Sequence, residues 1–560
     1  MRDDVKGGRR PDDVKGGRRP DDVKGGHRPP LQPPRQPPRQ PWRAGAPVLL
    51  LIAGALFGAG CSPGGEPNRA DARQGGSVSV ALVSAPDSLD PAVAISPTAL
   101  QALWLVHTPL LTYARAEGAP GTQLVPGLAV ELPEVSADER TVKLRLREGL
   151  RYSDGRRVSA GDFERAVKRA LKLNAYGLDL FGNIQGARHY ARSLLTGADI
   201  GGISADGRTG EVRIDLRRPD PNFPYSLAAP MAAPVPAGTP MRDLTSRPPP
   251  GVGPYRSVPV RPGTVFTLER RPGVPLPGVP AGLVDEVSGE VAGGPGAQSR
   301  EAIAGGVDVA QGRPPVYLIP RIRSELKERY SEHPTLALDY LAMDVSKPPF
   351  VSEDLRRAVN LAIDVAALER LRDGFLEPTC NVVVPQVAGY QALDPCPYGE
   401  RKDNSDLVQA RELVQGSARR PPPVVVSAKG RRAVGLERYL VQTLDKIGFR
   451  ARRARTAAER RRAHISFARV RPTLPLPGGY LEIVDDGVLD RRIDLLEREA
   501  PAPDAVDDWA ALDREVVEAA EVAPYGVETV GVLMSERMDA ENCTLYHPVF
   551  GLDWSSLCLR

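Results

Sequence analysis

Histidine, cysteine and aromatic side chains are all sparse in this 560-residue chain, and each shortage removes a class of chemistry. The six histidines stand singly, with no His-Glu-x-x-His pair, so the local zinc signatures are missing. No Gly-Lys dipeptide occurs, which excludes the phosphate-binding loop built around that pair. None of the five cysteines forms a Cys-x-x-Cys, the spacing of dithiol redox centres and many metal ribbons. Gly60-Cys-Ser-Pro-Gly64 fits the Gly-x-Ser-x-Gly frame, but it ends a signal-like segment rather than linking a strand to a helix, so no nucleophile is read from it. No catalytic residue, metal or cofactor is expected, and the chain does not read as an enzyme.

A surplus of positive charge is missing too, once the first 60 residues are set apart. They carry 3 Lys and 9 Arg against 6 Asp, a net of +6, whereas the whole chain is only +4. The remainder is therefore −2, without the excess that neutralises phosphates, and nucleic acid is not an expected partner. Residues 1–43 repeat the phrase Asp-Asp-Val-Lys-Gly-Gly-Arg-Arg-Pro and pass into a Pro/Gln/Arg tract, a composition that buries nothing and is expected to be disordered. After Arg43 comes an uncharged, largely apolar run, 44–60, short for a membrane span and followed by Cys61. Positive flank, apolar stretch and the small residues Gly58-Ala59-Gly60 before Cys61 resemble a bacterial lipoprotein signal. The resemblance implies lipidation of Cys61, with 61–74 as a flexible linker and the rest held on the extracytoplasmic face of the cell membrane. The other four cysteines fall into two local pairs, which favours disulfides Cys380–Cys396 and Cys543–Cys558, although four cysteines permit three connectivities.

Strand and helix periodicities alternate from residue 75 onward, so the fold class is α/β. Ser77–Val83, Thr141–Leu146 and Glu211–Leu216 alternate as strands. Pro97–Leu111, a segment opening at Ser159, Asp354–Leu371 and Leu436–Ile447 read as helices, the last stopping at Gly448. Pro and Gly crowd Val235–Gly263 and Pro272–Gly296, which read as loops crossing between lobes. Trp104 and Trp509 sit at helical spacing and read as core, His107 and His189 as satisfied local histidines, and the arginine-dense 450–462 as a solvated face.

The order of phrases resembles the extracellular solute-binding proteins of family 5, which serve peptide, oligopeptide and nickel ABC importers. The resemblance rests on Gly75-Gly-Ser-Val-Ser-Val-Ala81 with Pro86-Asp-Ser-Leu-Asp-Pro91, and on Leu124-Val-Pro-Gly-Leu-Ala129 with Val142–Gly149. Tyr152-Ser-Asp-Gly155 with Val158–Phe163, Gly251-Val-Gly-Pro-Tyr255, Ile303–Val309 and Pro348–Asp364 continue it in order. It implies a two-lobed, periplasmic-binding-protein-like fold of type II, closing on its ligand like a Venus flytrap, with a subdomain inserted in the first lobe. Lobe I would span 75–283, lobe II 284–530, and 531–560 would return to lobe I. The Gly and Asp positions of these phrases are expected to make turns, with Gly supplying φ > 0.

The resemblance also implies a function. A monomer would capture an oligopeptide or other small solute outside the membrane and deliver it to a permease and ATPase pair; a surface sensor or scaffold without transport is the alternative. In peptide-binding members one loop of lobe II carries a Trp and an Asp that pairs with the peptide amine. The corresponding stretch here, His464–Tyr480, has neither, and the nearest carboxylates are Glu482, Asp485 and Asp486. Ser88 and Leu89 in lobe I, and Gly389, Tyr390, Tyr480 and Asp485 in lobe II, are the candidate ligand contacts. Labelling with radioactive lipid precursor is expected to mark the wild-type chain and to leave Cys61→Ser unmarked; equal labelling of both would sink the anchor.

Overall fold

The computed structural model describes residues 74–560 apart from 261–262, 275, 400–405, 418–419 and 485–486. The leader, the apolar run and Cys61 lie outside the described residues, as does Asp485. An 11-stranded mixed sheet runs through the described part. From one edge its order is 451–453, 424–427, 465–470, 330–343, 522–534, 309–311, 77–82, 286–291, 266–270 and 255–258, with 376–377 set against 522–534.

Two of these strands set the architecture. Tyr330–Met343 and Val522–Met534 pair antiparallel over most of their length, roughly 45 Å of extended chain. Their far ends belong to different cores. Val532 and Met534 pack with Val78, Leu105, Phe266 and Trp554, while Leu341, Met343, Ala523 and Tyr525 pack with Leu355, Val424 and Leu440. The pairing is interrupted between Pro334 and Leu338 and again at Asp339/Tyr340, where a bulge bends the ladder. Pro334 has no N–H to give to a ladder, so the break falls at a residue that cannot continue it. The change of lobe lies at this bend.

The expected boundary at 283/284 is therefore displaced. Glu286–Val291 pairs parallel with Ser77–Leu82 from Ser77↔Glu286 to Leu82↔Val291, and Val309–Gln311 pairs on the other side of the same strand. Both stretches are lobe I. The Pro/Gly-rich stretches read as inter-lobe loops are likewise part of lobe I, because Tyr255–Val258 and Phe266–Arg270 form a hairpin on its outer edge. A separate four-stranded antiparallel sheet, ordered 134–135, 141–145, 211–215 and 203–205, packs on the helix Gly161–Leu173. Phe163, Val167, Ala170 and Leu171 from that helix meet Val142, Leu144, Val212 and Ile214 from the sheet.

Several elements end where local chemistry stops them. Pro97–Val106 begins with Ser96, whose hydroxyl accepts from Ala99 N, and ends well short of the expected Leu111, because Leu111–Tyr113 is needed as a strand. The segment 354–371 is two helices rather than one. Asp364 turns out of the helix and caps Val365–Leu371 by accepting from Ala367 N. Ala433–Ile447 stops at Gly448, φ +107°, as its sequence indicated. Trp104 and Trp509 are core residues, and the 450–462 arginines are mostly exposed. Cys543 and Cys558 form a disulfide with Cα atoms 5.5 Å apart, stapling the C-terminal segment.

The aspartates of the opening phrases do more than turn the chain. Asp90 and Arg169 form a bidentate ion pair, 2.8 and 2.7 Å, with both side chains wholly buried. Asp90 also accepts from Ala92 N and Leu244 N, and Arg169 donates to the carbonyls of Pro240 and Arg242. The pair thus ties the first strand's exit loop, the helix 161–173 and the loop 240–244. Removing one partner strands the other charge in a dry interior. Asp90→Ala is expected to lower the unfolding free energy by about 3–5 kcal/mol, read from urea denaturation followed by circular dichroism. A loss under about 1 kcal/mol, the range of an exposed pair, would show that the pair does not hold these segments.

Candidate functional site

The two long strands carry charged side chains on the face where the lobes meet. Asp339 and Arg469 are directly opposite on neighbouring strands, and Arg469 donates to both oxygens of Asp339 at 2.7 and 2.9 Å. Arg469 also donates to Glu528 at 2.5 Å, and Arg372 approaches Asp339 at 2.6 Å. From lobe I, Arg313, just beyond the strand 309–311, pairs with the same Glu528 and stacks 5.6 Å over the ring of Phe375. Three arginines thus meet two carboxylates across the hinge. Burial pushes the Asp339 carboxyl up to about 6 against the pull of Arg469, and burial likewise lowers Arg313. The network is partly desolvated, positively biased and anchored on paired strands through Asp339, Arg469 and Glu528, which suits an anionic group of a solute.

Further from the hinge the lobes touch through loops. Thr122 Oγ1 donates to Gln386 O at 3.0 Å, and Arg471 donates to Val549 O at 3.1 Å. Val549 and Leu476 each pack against both a lobe I and a lobe II core, and Leu474 reaches the lobe I core. The loop after Ile465–Val470, which lacks a carboxylate in the sequence, therefore spends its leucines on bridging the lobes.

Beside it lies a cavity of about 410 Å³ lined from lobe I by Leu178, Asn183, Arg218, Asp220 and Phe223, and from lobe II by Leu474, Leu476 and Glu497. Asn222 ties its edge, donating to Glu497 O at 3.4 Å and accepting from Ala502 N at 3.0 Å; Arg218 meets Asp494 at 3.4 Å. Burial, then Glu482, Asp220 and Asp494, push the Glu497 carboxyl up to about 7, against Arg218.

The candidate contacts named from sequence do not converge on one pocket. Ser88 is buried in a turn, its Oγ accepting from Asp90 N at 2.9 Å and 2.7 Å from Thr245 Oγ1. Leu89 packs at the margin of the lobe I core. Gly389, φ +92°, sits under Pro477 and Trp509, where a Cβ would come within 2.8 Å of Pro477. Tyr390 borders the same lobe II core, and Tyr480 is fully buried there, donating to Leu336 O at 2.7 Å. Gly389 and Tyr480 do meet around Pro477, and the neighbouring Gln386 touches lobe I, so this loop borders the seam. His107 is a helix C-cap whose two ring nitrogens find no hydrogen-bond partner among the described residues, and burial pulls it down to about 4. Sequence reasoning passed over Arg313, Asp339, Arg372, Arg469 and Glu528. The available signal was charge inside otherwise apolar strands: Asp339 within Leu336–Met343 and Glu528 within Val522–Met534.

A carboxyl raised to about 7 in the folded state binds a proton that the unfolded chain has already released. The folded form therefore loses stability as pH rises from about 4.5 through about 7. Glu497→Gln is expected to flatten this slope between about pH 5 and 8 in thermal melts. A variant slope equal to wild type would assign the dependence to another group.

Comparison with known proteins adds the lineage. Residues 123–450 match the family described as Bacterial extracellular solute-binding proteins, family 5 Middle. The glutathione-binding protein GsiB of Escherichia coli O1:K1 is 26% identical over 294 residues, 50% of this chain and 51% of that protein. The probable D,D-dipeptide-binding periplasmic protein DdpA of Escherichia coli K12 is 24% identical over 288 residues, with the same coverage of 50% and 51%. The chain thus spans about half the length of the curated relatives it matches. Among solved structures, the clavulanic acid biosynthesis oligopeptide binding protein 2 superposes with a TM-score of 0.76 at 23% identity, over 88% of this chain and 96% of that one. Haemophilus influenzae OppA in complex with RPPGFSPFR superposes with a TM-score of 0.62 at 15% identity, over 87% and 100%. These neighbours share the two-lobed fold, and the homologues are substrate-binding proteins rather than enzymes. With the family profile covering more than half of its length, the chain belongs to the bacterial extracellular solute-binding proteins of family 5.

Proposed function

We propose that this chain is the solute-binding lipoprotein of an ABC importer, anchored through Cys61 on the outer face of the cell membrane. It captures an oligopeptide or another small solute as a monomer and presents it to a permease and ATPase pair. The observation that carries this reading is the charged seam at the hinge, where Arg313 of lobe I and Arg372 and Arg469 of lobe II converge on Asp339 and Glu528. A solute carboxylate placed there exchanges with Glu528 or Asp339 on the arginine forks, and its presence favours closure. The relatives named for glutathione, a D,D-dipeptide and oligopeptides bind molecules that bear such a carboxylate.

One observation favours the alternative of a surface sensor or scaffold without transport. The loop 471–477 places Leu474 and Leu476 in inter-lobe packing and offers no acid to a peptide amine. An extracytoplasmic chain also suits a second disulfide, Cys380–Cys396. Both cysteines are half-buried, and the intervening loop folds back on itself, with Asn381 bonded to Gln391 O and to Leu393 N.

Thermal melts against a library of di- to octapeptides and other small carboxylates test the reading. A ligand at about 100 times its Kd should add about 2.7 kcal/mol to the folded state. Arg469→Ala is expected to lose that stabilisation while remaining folded. No stabilisation across the library would favour the sensor, and equal stabilisation of wild type and Arg469→Ala would remove the seam from the binding site.

A further inference from the structure

Lobe I holds a second cavity, remote in sequence from every residue of the hinge seam. Its volume is about 510 Å³, and its walls are the turn Ser153–Arg156, the loop 238–251 and Ser257. Both walls are held from behind. Arg165 donates to Thr239 O, and Arg169, already locked on Asp90, donates to Pro240 O and Arg242 O. On the other side Ser153 N donates to Gly251 O at 2.9 Å, and Arg271 spends its guanidinium on Gly251 O, Gly253 O and Tyr152 O. Gly251 is required for this closeness, since a Cβ there would lie 2.0 Å from Val106 O. Pro248, Pro249 and Pro250 in succession stiffen the loop, so little freedom remains to be lost on binding.

The chemistry of the lining is one-sided. Arg242 and Arg247 have no carboxylate partner among the described residues, and the single acid of the lining, Asp154, is held by Arg156 at 2.7 Å. Hydroxyls of Ser153, Thr239, Ser246 and Ser257 complete the set. Burial, then the neighbouring Arg256, lower Arg271 behind this wall, against Asp154. Two free guanidinium forks with several hydroxyl donors on a preformed wall match a multiply charged oxyanion better than a peptide, which needs backbone donors and acceptors in register.

We propose that this cavity is a second binding site, on lobe I alone, for a phosphate-bearing small solute held by Arg242 and Arg247. Isothermal titration of the full chain with pyrophosphate, and in parallel with citrate, tests it. Arg242 and Arg247 are exposed, so R242A/R247A is expected to keep the wild-type melting temperature without ligand. It also carries the same arginine-rich leader, which cancels non-specific binding. Saturable pyrophosphate binding, weakened at least tenfold in R242A/R247A and tighter than citrate, is the expected result. Non-saturable heats, an unchanged variant, or citrate binding as tightly as pyrophosphate would overturn the assignment.

Discussion

Two strands pass through both lobes, and the rest of the molecule is arranged around that continuity. Tyr330–Met343 and Val522–Met534 pair with each other, then hand their outer edges to different partners: Val309–Gln311 on the lobe I side and Ile465–Val470 on the lobe II side. One sheet therefore serves two cores. Between them the ladder is broken near Pro334, so the connection is covalently continuous but weakly hydrogen-bonded where it must bend. A hinge of this kind lets two rigid bodies rotate without either losing its core.

The strands also decide what can sit between the lobes. Leu338 and Leu341 are buried in apolar clusters, whereas Asp339 between them joins the charged seam with Arg469, Arg372 and Glu528. Charges held so closely in a partly buried setting are a poor source of stability and a good source of directional binding. The loop 471–477 has the opposite character. Its leucines bring the lobes together by apolar contact.

How much of this was legible depended on the range of the interaction. Ser77–Leu82, Thr141–Arg145 and Glu211–Asp215 announce themselves by alternation, and Gly448 ends its helix with a residue made for φ > 0. The single helix expected over 354–371 failed because Asp364 serves as a cap, a role that periodicity does not distinguish from an exposed helical position. The stretch 255–258 hid a strand among prolines and glycines because its pairing partner stabilises it. His107 was expected to be satisfied locally, yet it is enclosed by lobe I backbone, including Gly251, far away in sequence.

The candidate contacts divide along the same line. Ser88 and Gly389 stand out in the sequence as turn residues, and turns are what they make, because turn chemistry is local. The sequence by itself determined the family, the alternation of strands and helices, and the near-neutral charge of the chain beyond its leader. Only the tertiary structure decided that the lobes change at Pro334 rather than at residue 283, and that Arg313, Asp339, Arg372, Arg469 and Glu528 form one network. Those five residues span more than two hundred positions, and nothing short of strand pairing brings them within hydrogen-bond reach.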